Sequence, residues 1–345
     1  MSIKRILIHP LFLFAVALYI LPYFMVYTGS FVDLASSIII YGLLAMGFNF
    51  LFGHTGDLSF GHGLFFTFAG FTAGNIALHF SSNLFLTLIL GVLSSVVIGA
   101  IVGGLAVYRS KGIYFSMITL AFGQVFFYIG YSSRGFTGGE NGLGGIPKPN
   151  ILGLNLSDPP TFYYTAAVFV FIGAYVLYRI ANSPFGKVCR AINANKNRPE
   201  FLGYDVKKYR FKAFLVSSAI AGYAGVLSVY HIGYMSSQSS HWSASGEIVM
   251  MSVLGGINNL FGPVIGALMF KYLEDILSGY TNYWFLPVGI IFVFFVLVAP
   301  KGIAGLLQPL YEKLAQKLGI NVNALPEKDP QGTADIEPHK KEVSA

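Results

Sequence analysis

The chain has 345 residues, of which 54% are hydrophobic and only 11% are charged. A soluble domain devotes about a quarter of its residues to Asp, Glu, Lys and Arg, so this composition excludes a soluble globular protein. The formal net charge of +7 does not indicate nucleic-acid binding, because the Lys and Arg residues lie in short stretches between apolar runs, where they fix orientation in a membrane.

Apolar runs long enough to cross a bilayer recur along the chain. Hydropathy predicts spans at 6–27, 34–52, 64–80, 84–107, 112–131, 161–180 and 211–231. The stretch 246–280 is too long for one straight helix and has Gly, Asn and Pro near its middle, so we predict segments 247–257 and 263–278 joined by a break. A last span covers 284–299. The sequence therefore predicts an all-α, polytopic transmembrane helical bundle of about ten spans with broken or re-entrant helices.

Basic residues predict the orientation of these spans. If Lys4 and Arg5 lie in the cytoplasm, the positive-inside rule places the loop 182–212, the most basic part of the chain, on the same side. The loop 132–160, which has two basic residues, then faces outward. We predict one transmembrane domain over 1–320 and a disordered cytoplasmic tail over 321–345, which is polar and of mixed charge.

The pattern G-x-N-x-L-F-G occurs twice, at Gly47–Gly53 and Gly256–Gly262. Corresponding broken segments in two halves of a membrane protein indicate an internal repeat that borders a solute path. In that interpretation Asn49 and Asn258 lie where the helices open. The alternative is that both amides form hydrogen bonds that hold helices together.

The segment Gly53–Gly63 is the most polar part of the first hundred residues and contains four glycines. Glycine allows the backbone to unwind at membrane depth, and ionisable groups there are costly enough to indicate function. We interpret His54, Asp57, Ser59 and His62 as a pathway or gate. The alternative is a short cytoplasmic loop with Ser59 as a helix N-cap. No tight metal-ligand pattern is present, so we predict no metal site.

Three further features have two interpretations each. Gln124 could hydrogen-bond a passing polar solute or hold two helices together. Glu247 could belong to the pathway or could stabilise the N-terminus of its span. The glycine-rich outer loop Thr137–Pro147 could cap the bundle or dock an external partner, and we favour partial docking.

The inner segment Ser183–Asn195 begins like a helix, with Ser183 as the cap and Pro184 at the first position. A small face follows the helical period and consists of Val188, Ala191, Ile192 and Asn195. Such a face could press into another protein or lie on lipid headgroups. A protein partner is favoured, because Asn and Ala are weak membrane anchors.

The sequence contains no G-x-x-x-x-G-K-[ST] phosphate loop, nucleophile elbow or H-E-x-x-H pattern. We therefore predict no catalytic residues, no enzyme activity and no cofactor of its own. Energy for transport would come from a partner or a gradient.

Short motifs resemble, in order, those of the M-type permease subunit of branched-chain amino acid ABC importers. They are T-G-D-L-S-F-G-H at 55–62, K-G-I-Y-F at 111–115, T-G-G-E-N-G-L at 137–143, S-P-F-G at 183–186, L-G-Y-D at 202–205, S-G-E at 245–247, L-G-G at 254–256, G-P at 262–263 and P-K-G at 300–302. Each motif is weak alone, but the ordered set is specific and covers about residues 33–307.

The resemblance implies a multi-pass protein of the bacterial inner membrane that forms a translocation path for branched-chain amino acids with a second permease subunit. Two cytoplasmic subunits would bind and hydrolyse ATP, and a periplasmic solute-binding protein would deliver the solute. The inner loop resembles a coupling helix, with Gly186, Arg190, Ala191 and Asn195 as the contacts to the ATPase. It lacks the Glu-Ala-Ala core of other importer classes.

Other functions fit parts of the same sequence. Related permeases serve urea and short-chain amides, so such an importer is the first alternative. A self-sufficient secondary transporter or channel would need paired buried charges for ion coupling, and the predicted spans supply almost none. A membrane scaffold would leave the broken, glycine-rich segments without a purpose.

Overall fold

The computed structural model describes residues 9–110, 112–149, 156–257, 259–281, 283–299, 301–306 and 309. The basic start with Lys4 and Arg5, Asn258 and the predicted tail 321–345 lie outside these ranges. The α-helices are α1 (Pro10–Tyr27), α2 (Val32–Thr55), α3 (His62–His79), α4 (Leu84–Arg109), α5 (Ile113–Ser132), α6 (Arg134–Thr137), α7 (Pro159–Ala181), α8 (Pro184–Ala194), α9 (Asn197–Phe201), α10 (Val206–Ile232), α11 (Trp242–Gly255), α12 (Gly262–Tyr280) and α13 (Phe285–Val298). Two 3-10 turns cover Gly139–Asn141 and Ser237–Ser240, and β1 (Leu143–Gly144) pairs antiparallel with β2 (Tyr234–Met235).

Each of the ten predicted spans corresponds to a helix, and the all-helical bundle is confirmed. Among the described residues, seven helical segments are long and apolar enough to cross a membrane. They are α1, α2, α4, α5, α7, α10 and the segment Phe285–Leu306. Helix α11 has 14 residues, which is about 21 Å of helix and too short to cross about 30 Å of hydrocarbon alone.

Helix α10 begins earlier than the predicted span 211–231. Asp205 is its N-cap and accepts a hydrogen bond from the backbone N–H of Lys208 at 3.1 Å. The capping carboxylate starts the helix at Val206, so the last basic residues of the predicted loop 182–212 lie in its first turns.

Helices α2 and α10 form the centre of the bundle. In the most apolar windows of these two helices 83% and 78% of the residues are buried, against 28% in α4 and in α5. Small polar residues hold the central helices together: Ser217 of α10 donates to the carbonyl of Gly47 in α2 at 2.6 Å, and Ser95 of α4 donates to the carbonyl of Ser218 at 2.6 Å. Such close contacts are typical of helix packing in membranes, where no hydrophobic force acts between helices.

The first break in the bundle lies between α2 and α3. Helix α2 ends at Thr55, its C-cap Gly56 has a left-handed φ of 73°, and α3 begins at His62. The intervening residues run along α5, since Ser116 donates to the carbonyl of Leu58 at 2.6 Å and the N–H of Phe60 donates to Thr119. Buried contacts of this kind allow non-helical backbone at membrane depth.

A second irregular segment, 234–241, runs along the other half of α5. Ser237 lies against Gly130, and a Cβ at Gly123 would lie 3.5 Å from the carbonyl oxygen of Ser240 and 3.6 Å from that of Phe60. Because Gly123 is at the middle of α5, the two irregular segments meet halfway along that helix. Helices α3 and α11 both start from this junction.

A third break, of which residues 256, 257 and 259–261 are described, lies between α11 and α12. It lies where a break was predicted, and it packs on the end of α2: a Cβ at Gly53 would lie 2.6 Å from the carbonyl oxygen of Ile257. The two copies of G-x-N-x-L-F-G have different local structures, however. The first lies inside the continuous helix α2, whereas the second includes this break.

The outer loop lies on the end of the bundle. Its strand β1 pairs Leu143 with Met235, the Asn75 side chain of α3 donates to the carbonyl of Phe136 at 2.7 Å, and Ile146 is buried. These contacts fit a cap over α3 and α5. Docking of an external partner on this loop stays a prediction.

Candidate functional site

The predicted gate residue Asp57 forms a buried ion pair with Arg210 from the first turns of α10. The guanidinium makes two hydrogen bonds to the carboxylate, from Nε to Oδ2 at 2.6 Å and from Nη2 to Oδ1 at 2.8 Å. The exposed fraction is 2% for Asp57 and 3% for Arg210. Removal of one partner of such a pair leaves an uncompensated buried charge, which costs about 3–5 kcal/mol.

Additional groups surround this carboxylate. Thr55 lies 3.2 Å from Oδ2, and Lys196 Nζ lies 3.7 Å from Oδ1. The Lys196 side chain is 42% exposed, so solvent screens its charge. The Asp57–Arg210 pair therefore fixes the first break, 56–61, to the start of α10.

His62 and Ser59 lie at the opposite end of the same break. The His62 Nε2 atom is 2.6 Å from the hydroxyl of Ser217, which itself donates to Gly47. Both predicted gate residues are fully buried. The alternative interpretation of Ser59 as a helix N-cap is wrong, because the N-cap of α3 is Gly61. Ser59 instead accepts from the N–H of Gly61 at 3.3 Å.

Asn49 is not where a helix opens. It lies inside α2, is 1% exposed, and its side-chain N–H donates to the backbone carbonyl of Asn259 at 2.9 Å. This contact joins the two G-x-N-x-L-F-G segments. Its predicted counterpart, Asn258, lies outside the described residues.

The predicted coupling segment forms the helix α8. Ser183 is its N-cap and accepts from the N–H of Gly186 at 3.4 Å, and Pro184 occupies the first turn, as expected. The predicted contact face is divided, because Ile192 is fully buried while Ala191 and Asn195 are exposed. The face available to another protein is therefore smaller than the sequence pattern indicated.

Of the four predicted ATPase contacts, Ala191 and Asn195 are exposed. Gly186 is buried against the carbonyl of Ala181 at the end of α7, so in this chain it permits the close approach of two helices. Arg190 is half-buried, and its Nη1 lies 3.2 Å from Nε2 of the predicted gate residue His54.

A second contact supports this connection. Asn193 of α8 donates to the carbonyl of Gly53 in α2 at 2.8 Å. Helix α8 is thus hydrogen-bonded to the last turn of α2, immediately before the first break. Motion of α8 would act directly on that break.

Cys189 lies on the inner face of α8. Burial raises the pKa of its thiol to about 12, although the nearby Arg190 charge opposes the shift. A thiol in this environment stays protonated and chemically inert. This residue therefore reports how tightly α8 packs on the bundle.

The structure also contains a charged group of residues that the sequence interpretation missed. Lys271, at the midpoint of α12, donates to Glu274 at 2.7 Å and lies 4.1 Å from the ring centroid of Tyr41 in α2. The predicted site residue Glu247 interacts electrostatically with Lys271 and Glu274. We name these four residues the midspan cluster. The signal that could have revealed it was the K-x-x-E spacing inside the predicted span 263–278.

Gln124 lies on the face of α5 that meets the start of α11. Phe127, one turn further along α5, stacks edge-on against His241 with 5.0 Å between the ring centroids. The Nε2 atom of Gln124 is buried and has no hydrogen-bond partner among the described residues. Within the described ranges no group of three His, Cys, Asp or Glu residues could hold a metal ion.

Helices that are apolar over bilayer length, interrupted by irregular segments that stay buried in the bundle, define a polytopic membrane protein with broken helices. The family follows from comparison with known proteins. Residues 30–300 match the model of the branched-chain amino acid transport system permease component, and the chain belongs to this family.

Individual relatives agree with this assignment. The chain is 27% identical to the high-affinity branched-chain amino acid transport system permease protein LivM of Escherichia coli, over 86% of this chain and 76% of the relative. It is 29% identical to a probable LivM permease of Methanocaldococcus jannaschii, over 56% of this chain and 57% of the relative. It is also 29% identical to the LivH permease of Escherichia coli, over 39% of this chain and 44% of the relative. No solved structure matches the chain.

Proposed function

We propose that the chain is an inner-membrane permease subunit of an ABC importer for branched-chain amino acids. It forms the translocation path with a second permease subunit and receives its solute from a periplasmic binding protein. Two cytoplasmic ATPase subunits bind ATP and drive the cycle, so the chain itself needs no cofactor and performs no catalysis. Each relative named above is described by its own name as a branched-chain amino acid transport permease.

The observation that carries this proposal is the contact between α8 and α2. One side of α8 is bonded to the end of α2 through Arg190 and Asn193, and the other side leaves Ala191 and Asn195 exposed. A helix with this arrangement can bind a protein outside the bundle through its exposed side. A movement of the helix would then displace the end of α2 and the first break. That is the task of a coupling helix.

Ala191→Arg tests the coupling role. A long, charged side chain at this exposed position is expected to prevent docking of the ATPase without disturbing the buried face of α8. We expect the ATPase to be lost from the purified complex, together with leucine uptake. Arg109→Ala, at an exposed position at the end of α4, is the control and should retain both. Unchanged ATPase association in Ala191→Arg would refute the coupling role.

Uptake of labelled leucine and labelled urea, by a deletion strain that carries the chain with the other subunits of its system, tests the substrate. Leucine uptake without urea uptake is the expected result. Urea uptake with no effect on leucine would replace the proposal by the urea or short-amide importer.

A self-sufficient secondary transporter is the second candidate, and the midspan cluster favours it. Such a transporter needs charged groups within the spans, and Lys271 and Glu274 provide a directly bonded pair. The family, however, is described as a permease component of a transport system, which favours a multi-subunit machine. Leucine uptake into vesicles that contain this chain alone, driven by a proton or sodium gradient, would decide for the second candidate.

A further inference from the structure

The midspan cluster is centred on the buried middle of α12. Lys271 lies nine residues from each end of α12, which spans Gly262–Tyr280, or about 13 Å by helical rise. Its side chain is 12% exposed and that of Glu274 is 28% exposed. Charges at such depth are expensive unless they face a partner or a water-filled path.

The cluster has one cation for two carboxylates. The Lys271 ammonium has three donor hydrogens, of which one bonds Glu274 while the ring of Tyr41 faces the group at 4.1 Å. Glu247 is half-buried and, among the described residues, makes no direct hydrogen bond or ion pair. The cluster therefore retains a carboxylate that can accept a second ammonium and a lysine that can donate to a second carboxylate.

The helix face next to Glu247 is open. A Cβ at Gly246 would have no described atom within 4 Å. Four residues share this face at helical spacing and are all half-buried: Ser243, Gly246, Glu247 and Met250. Helix α5 borders the start of α11 with Gln124, whose Nε2 atom lacks a hydrogen-bond partner in the part of the chain that the structure describes. An open polar face of this kind is unlike the apolar surface of the segment Phe285–Leu306, whose most apolar window is 18% buried.

We propose that this face lines the solute path and binds the α-amino acid in its zwitterionic form. Lys271 donates to the carboxylate of the solute, and Glu247 accepts from its ammonium group. Glu274 and Tyr41 hold the Lys271 ammonium in place. The inference rests on the proposed function and adds the chemical basis on which the path accepts an amino acid and disfavours an uncharged amide such as urea.

The test uses the complete transporter with saturating, leucine-loaded binding protein. Lys271→Met and Glu247→Gln each remove one charge-assisted contact, which is expected to lower leucine uptake by about 10-fold or more. ATP hydrolysis stimulated by the binding protein should stay near the unaltered rate, because neither residue belongs to the α8 contacts. A merely structural role would lower both rates together.

Two further variants complete the design. Lys271→Arg keeps the positive charge and should retain most of the uptake. Lys208→Gln neutralises a lysine in an exposed pair of the same spacing, with Asp205, and should have no effect. If Lys271→Met fails to reach the membrane, Glu247→Gln still tests the site, because it orphans no direct partner. Unaltered uptake in Glu247→Gln would overturn the inference, whereas absence of leucine uptake by the unaltered transporter would refute the proposed function instead.

Discussion

The Asp57–Arg210 pair and the midspan cluster place charged groups inside the same bundle in opposite ways. The first is closed: both residues are almost fully buried, and the guanidinium satisfies both carboxylate oxygens. The second is open: Lys271 has one carboxylate at 2.7 Å, and Glu247 stays without a direct partner among the described residues. Complete pairing fixes a structure, whereas incomplete pairing on an open face leaves groups for a ligand.

The closed pair is the place where a substitution should have the largest effect. Arg210→Met leaves the Asp57 carboxylate buried without its partner, so the free energy of unfolding should fall by about 3–5 kcal/mol. Thermal unfolding of the purified protein in detergent measures this loss. Lys196→Gln removes the half-exposed, more distant charge and should cost less than about 1 kcal/mol. Equal stability of the two variants would show that the Asp57–Arg210 pair does not hold the first break to the start of α10.

A substitution in the contact between α8 and the end of α2 should have a smaller effect than one in the Asp57–Arg210 pair. Arg190→Ala removes the contact to His54 at 3.2 Å, and loss of such a hydrogen bond is expected to cost about 1 kcal/mol. We expect the complex to assemble and the ATPase rate stimulated by the binding protein to fall. Measured rates equal to those of the unaltered complex would contradict transmission through this contact.

The smallest effect concerns Cys189, on the buried face of α8. With a pKa of about 12, only about one thiol in ten thousand is ionised at pH 8, so maleimide should modify it very slowly in the folded protein. Ala191→Cys, two residues away on the exposed face, should react at an ordinary rate. Rapid modification of Cys189 would show that α8 separates readily from the bundle and that its buried face becomes accessible to solvent.

Hydropathy was sufficient to predict the helices, because apolar runs of bilayer length have few other structures available. The cap of α8 was also predictable, since Ser183 and Pro184 act locally. The pair of Asp57 and Arg210 was not, because its partners are 153 residues apart in sequence and no local pattern links them.

Other errors have equally physical causes. A repeated motif does not fix local structure, so the first copy, with Asn49, lies within a helix, whereas the described part of the second copy includes a break. The helical face expected on α8 was divided, because periodicity identifies the face but not which partner covers it: Ile192 packs on the chain itself. The midspan cluster was missed because its residues come from three helices.

The water accessibility of the α11 face next to Glu247 tests most directly whether this face is open, in contrast to the closed Asp57–Arg210 pair. Gly246 and Gly289 lie in helices of 14 residues, and a Cβ at either position would have no described atom within 4 Å. Gly246→Cys and Gly289→Cys can each be treated with a charged, water-soluble methanethiosulfonate in the assembled transporter, since the native Cys189 is buried. If the α11 face lines a solute path, Gly246→Cys should be modified rapidly, with slowing by leucine-loaded binding protein, and Gly289→Cys should not be modified. Equal resistance at both positions would show that the α11 face is not part of a solute path.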